Sequence, residues 1–136
     1  MVTLPNGLQI VGREDRASRQ FAGKIRAPLD ILMAAADSSR PVILMDHQPF
    51  HLEEAARAEV DLQLSGHTHH GQLWPFNHIT DAIYELSHGY AVIGKTHFYV
   101  SSGVGTWGPP VRLGNRPEII LLTLRSPQSD IGMGEL

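Results

Sequence analysis

The chain has 136 residues, 42% of them hydrophobic and 18% charged, so it can bury a core and is not a disordered segment. A formal net charge of −3, without a run of like charge, excludes a nucleic-acid-binding patch or a docking face for anionic membranes. The absence of cysteine rules out thiolate zinc sites and disulfide frameworks, and the eight histidines are the compositional excess.

In chain order, Leu4-Pro5-Asn6-Gly7 is turn chemistry and Leu8-Gln9-Ile10-Val11-Gly12 reads as a first strand. Residues 13–20 are charged and without period, which predicts a surface loop. Pro28 suits a first helical position, and the spacing of Leu29, Ile31, Leu32 and Ala35 predicts a helix over 28–37. Pro41-Val42-Ile43-Leu44-Met45 is a continuous apolar run, the mark of a strand buried on both faces in a parallel sheet. It ends in Asp46-His47-Gln48-Pro49, and a helix over 52–58 leads to an alternating strand over 60–64. This strand–helix–strand order is a βαβ unit.

After the second of these strands come Ser65-Gly66-His67-Thr68-His69-His70-Gly71-Gln72 and an aromatic turn, Trp74-Pro75-Phe76. A helix over 79–86, a hairpin of 90–94 with 96–101, and a glycine-rich loop over 102–110 follow. Residues 119–124 predict a last buried strand, and 126–136 a frayed tail, so 1–125 is expected to be one domain. No apolar stretch approaches the roughly 20 residues that cross a bilayer, and no signal-peptide pattern opens the chain.

The histidines carry the chemistry. In extended backbone, residues two apart point to one side with origins about 6–7 Å apart, so His67 and His69 can converge on one metal. Equally, they can serve two ions about 3.5–4 Å apart. His47 stands at the C-terminal end of the preceding strand, and open α/β sheets bind ligands just beyond those ends. Two neighbouring parallel strands would bring all three imidazoles into one crevice, and neutral imidazole suits zinc, iron and manganese.

Met45-Asp46-His47-Gln48-Pro49, Ser65-Gly66-His67-Thr68-His69, Gly71-Gln72 and Ser101-Ser102-Gly103-Val104-Gly105-Thr106-Trp107-Gly108-Pro109-Pro110-Val111-Arg112 together resemble the calcineurin-like metallophosphoesterase superfamily. The likeness is to its bacterial branch of predicted phosphohydrolases, which often carry N-terminal membrane segments. It runs over about 4–124 and covers only the C-terminal half of such a catalytic domain. The fold it implies is α/β, one half of a four-layer α/β/β/α sandwich. The reaction it implies is hydrolysis of a phosphate ester by metal-activated hydroxide, with two divalent ions (Mn, Fe or Zn) in the complete domain. By the same resemblance His47 and His67 bind the second metal and His69 the first.

The family's upstream motifs, Asp-x-His, Gly-Asp and Gly-Asn-His-Asp/Glu, have no counterpart here. Asn77-His78 echoes the last of them, on the wrong side of the histidine signature. Three neutral imidazoles bring no anionic charge to hold two dications together. The chain is therefore expected to be a fragment of a longer enzyme, inactive alone or a weak mononuclear metal binder, with catalytic residues unassigned. A membrane-anchored parent is an expectation from the branch, and the compartment stays open.

Other residues have two readings each. His70 lines the substrate mouth or faces solvent; Arg112 binds a phosphate or pairs with a carboxylate such as Glu118. Asp46 neighbours His47, but strand alternation points it to the opposite face. Gly103 and Gly105 permit backbone approach to the site or merely turn the chain. His51, His78, His88 and His97 lack convergent spacing and read as surface or cap residues, and Trp74, Phe76 and Trp107 as packing residues. The alternative function is a non-catalytic metal-binding or assembly module whose three histidines help close a structural zinc. A plain α/β interaction domain is the third option. Half a sandwich leaves apolar surface uncovered, so self-association through the exposed half-sheet is expected.

Overall fold

In the computed structural model, which describes residues 1–125, six strands form one mixed sheet. They are β1 (Val2–Thr3), β2 (Gln9–Gly12), β3 (Val42–Met45), β4 (Leu62–Ser65), β5 (Gly89–Ile93) and β6 (Thr96–Val100), in the order β1-β2-β3-β4-β6-β5. β2, β3, β4 and β6 run parallel, while β1 and β5 pair antiparallel at the two edges. Helices α1 (Ser18–Ala22), α2 (Leu29–Met33), α3 (Leu52–Arg57) and α4 (Phe76–Ile83) lie in the connections. The fold is α/β, as the strand–helix–strand order requires.

Alternation along the strands decides what is buried. Val11, Val42, Leu44 and Phe98 point to the face covered by Leu29 of α2 and by Leu52 and Ala55 of α3, and all seven are at most 4% exposed. Among the described residues, no helix covers the opposite face in the same way. Register places Met45, Leu64, Tyr99 and Tyr90 in one row and Ile10, Ile43, Leu62, His97 and Val92 in another. Met45 is 54% exposed and Tyr90 59%. The run Pro41–Met45 is thus buried on one face only, because consecutive residues of a strand cannot share the single helical layer.

Several other expectations shift. The helix expected over 28–37 spans only Leu29–Met33, and the aperiodic stretch after Gly12 contains α1, whose C-cap Gly23 is left-handed. α4 begins three residues before the expected start, directly after Pro75. Residues 119–124 form no strand: Ile119 and Leu121 are 88% and 92% exposed, since among the described residues no neighbouring strand pairs with them. Trp74, Phe76 and Trp107 are also exposed rather than packed. The tail over 126–136 lies outside the described residues.

A buried charge cluster sits beneath the C-terminal ends of β2 and β3. Asp46 is 2% exposed and faces the helical side. Both of its oxygens accept from Arg26, and Arg13 approaches at 3.5 Å. Arg13 also donates to Glu54 of α3 at 2.8 Å. That bond, more than its partial burial opposes, holds the Glu54 carboxyl below its ordinary value. The alternation that sends Asp46 down to these arginines sends His47 to the other side. Removing one partner of such a cluster leaves buried charge uncompensated. Asp46→Ala is therefore expected to lower stability by about 3–5 kcal/mol in urea unfolding. A loss below about 1 kcal/mol would show that water already compensates the two guanidinium groups.

Candidate functional site

Pairing of β3 with β4 continues past the formal strand ends: Asp46 N donates to Leu64 O at 3.1 Å and Gly66 N to His47 O at 3.0 Å. Side chains leaving the two strands here are held side by side. The His47 and His67 rings meet edge to face with centroids 5.1 Å apart. Tyr84 stands 6.4 Å from the His67 ring and 4.6 Å from Phe50, and desolvation raises the Tyr84 hydroxyl pKa.

Beyond Gly66 the backbone is not extended. His67, His69, His70 and Gln72 have φ of 67°, 46°, 46° and 51°, all in the left-handed region, around a kinked 3-10 turn at His69–Gly71. Each such non-glycine residue costs roughly 1–3 kcal/mol unless its surroundings hold it, and such strain concentrates at functional sites. The same-side geometry expected for His67 and His69 in a strand consequently does not apply.

The surroundings that hold the turn are specific. Thr68, buried, donates its hydroxyl to Ser87 O at 2.6 Å and accepts from His70 N at 3.2 Å. Gln72, 6% exposed, takes Trp107 N at 2.6 Å and gives its amide to Trp107 O at 2.8 Å and Pro109 O at 3.2 Å. Asn115 donates to the carbonyls of His69 and His70 at 3.1 and 2.8 Å. The glycine-rich loop is thereby tied to the histidine turn by side chains from both.

Arg112 sits inside that tie. Its Nη1 donates to Asn115 Oδ1 at 3.0 Å and its Nη2 to Ser102 O at 2.7 Å, Gly103 O at 3.1 Å and Gly105 O. Nη2 also lies 3.2 Å from His69 Nδ1. Glu118 is engaged elsewhere, accepting Ser102 N at 2.7 Å and lying 3.3 Å from His88 Nε2. Burial opposes ionisation of Glu118, but its bonds to Ser102, Ser101 and His88 outweigh burial and leave its pKa lowered.

His70 and His88 stack at 4.8 Å, with Ser87 Oγ 3.5 Å from His70 Nδ1 and bonded to Asp81. His88 is thus part of the support of the turn rather than an isolated surface residue. Sequence gave no signal for Asn115 or His88 as neighbours of the turn, because each lies in a separate loop brought there only by the sheet.

The donor chemistry fits a metal. Desolvation, then the neighbouring His47 and His69, lower the His67 pKa against an opposing pull from Asp15. Desolvation, Arg112 and His47 lower that of His69, with the Gly105 carbonyl opposing. Both imidazoles are therefore biased to the neutral, ligating form. The geometry does not close: among the described residues, no group of three histidine, aspartate or glutamate side chains is placed to hold a metal ion.

Comparison with known proteins decides the family. An "Uncharacterized metallophosphoesterase" of Aquifex aeolicus is 35% identical over 127 residues, covering 91% of this chain and 48% of that protein. One of Helicobacter pylori strain J99 is 39% identical over 123 residues, covering 87% and 32%. The chain belongs to the calcineurin-like metallophosphoesterase superfamily. A bovine "Transmembrane protein with metallophosphoesterase domain" is 39% identical over 101 residues, covering 72% of the chain and 23% of that protein. This metallophosphoesterase chain spans about a third of the length of the first relatives it matches. No protein-family model and no solved structure matches it. Among the described residues, no helix is long and apolar enough to cross a membrane.

Gly71, at φ 74°, is where the turn passes the start of α4, and a Cβ there would overlap the Asn77 backbone nitrogen and the Phe76 carbonyl carbon. Gly71→Ala is expected to cost at least about 2 kcal/mol, from positive φ together with the overlap, read as a lowered thermal midpoint. A midpoint unchanged within error would contradict the close packing of the turn on α4.

Proposed function

We propose that this chain contributes the imidazole donors of a divalent-metal centre that hydrolyses phosphate esters. His47 and His67 would share one ion and His69 would serve the second. The observation that carries the reading is the meeting of the His47 and His67 rings at the ends of two paired parallel strands, supported by the family to which the chain belongs. A divalent ion held there supplies a nucleophile and neutralises phosphoryl charge. The carboxylate donors that two dications require are not among the three imidazoles, so the chain alone is expected to bind metal weakly and to be inactive. Arg112 and His70, flanking His69, are the candidates to face the substrate phosphate. Two relatives named as transmembrane proteins favour a membrane-anchored parent. The sheet face that no helix of the described residues covers, with Met45, Tyr90 and Val92 at least half exposed, favours burial against another copy of the chain.

Calorimetric titration with Zn²⁺ tests the reading. His47→Gln and His67→Gln are each expected to weaken binding at least about tenfold, the worth of one lost ligand bond. His78→Gln is expected to leave binding unchanged, and p-nitrophenyl phosphate to remain unhydrolysed. Binding indifferent to His47 and His67, or turnover by the chain alone, would contradict the proposal.

A further inference from the structure

The hydrogen-bonding capacity of His69 conflicts with its availability as a ligand. A guanidinium carries donors only. A hydrogen bond across the 3.2 Å from Arg112 Nη2 to His69 Nδ1 uses the lone pair of Nδ1. In a neutral ring the proton then resides on Nε2. In that tautomer neither nitrogen of His69 offers a free lone pair to a cation.

Arg112 is well placed to hold this state and also to leave it. Its Nη2 has two hydrogens but meets four acceptors: three loop carbonyls and the imidazole, which is the most distant of them. The carbonyls of Ser102, Gly103 and Gly105 and the amide of Asn115 keep the guanidinium in the loop whether or not it engages the ring. Asn115 ties the same guanidinium to the His69 and His70 carbonyls, so a shift of Arg112 is felt by the turn itself. No carboxylate among the described residues pairs with Arg112, so its charge remains directed at the site.

We propose that Arg112 is an internal competitor for His69: the guanidinium occupies the imidazole in the metal-free chain and must release it before His69 can ligate a divalent cation. Once the ring is released, the guanidinium stays in the loop with its charge beside the metal, where it attracts an anionic oxygen. Arg112 is on this reading a positioning residue that couples metal entry to anion capture. The inference rests on the proposed metal-donor role of His69.

The test is Zn²⁺ titration of the chain as Arg112→Gln, His69→Gln and the double variant. Arg112→Gln is expected to bind Zn²⁺ at least about tenfold more tightly, because a charge-assisted hydrogen bond and a like charge are both removed. His69→Gln is expected to matter little when Arg112 is present and to abolish the gain when it is absent, a coupling that simple loop loosening does not produce. In parallel, the ring nitrogens of His69 in the metal-free wild type, read by two-bond ¹H–¹⁵N correlation, are expected to show Nδ1 unprotonated and Nε2 protonated. That readout stands even if Arg112→Gln fails to fold. Equal or weaker binding by Arg112→Gln, a gain that survives loss of His69, or an Nδ1–H tautomer would overturn the competitor role and leave the metal reading intact. Absence of Zn²⁺ binding in every variant would overturn both.

Discussion

Everything at the site depends on β3 and β4 lying parallel and adjacent, with hydrogen bonding carried one step beyond their formal ends. The bond from Gly66 N to His47 O fixes the level at which both chains leave the sheet. Two imidazoles from segments separated by a whole helix then emerge at the same height. A single-residue slip would be ruinous, because side-chain alternation would exchange Asp46 and His47 between the faces. The buried ion pairs of Asp46 with Arg13 and Arg26 oppose that slip. On the other face it would strand two guanidinium groups without a counter-charge. The acidic residue thus serves the histidine beside it by fixing register, without touching it.

A second layer of constraint acts on the turn. Four non-glycine residues in left-handed conformations make the segment from His67 to Gln72 expensive in isolation. Gln72, Thr68 and Asn115 satisfy its backbone and that of the glycine-rich loop together, so each segment helps to hold the other in this form. That interdependence explains how the glycine-rich loop is held against the turn, and why Arg112, far away in sequence, reaches His69.

Much of this arrangement was legible in the residues. The apolar run before Asp46, the helix after it and the glycine-bracketed histidines gave the βαβ unit and the candidate donors, because those signals are local. Three matters were not legible. Apolarity of Ile43 and Met45 could not reveal that, among the described residues, only one sheet face has a helical cover. The apolar sequence at 119–124 has strand propensity but, among the described residues, no neighbouring strand to pair with. And extended geometry at His67–His69 gave way to positive φ, which nothing in Thr68 or its neighbours signals. Arg112 had two readings in sequence, phosphate or carboxylate. The structure instead shows it among carbonyls and an imidazole, a partnership set by loop geometry.

The claim on which the rest stands is that the His47 and His67 rings are neighbours in the metal-free protein. A nuclear Overhauser spectrum with assigned imidazole protons measures this directly. Cross-peaks between ring protons of the two residues are predicted from the edge-to-face contact at 5.1 Å. Their absence, with each ring showing contacts only to its own strand, would contradict the shared site.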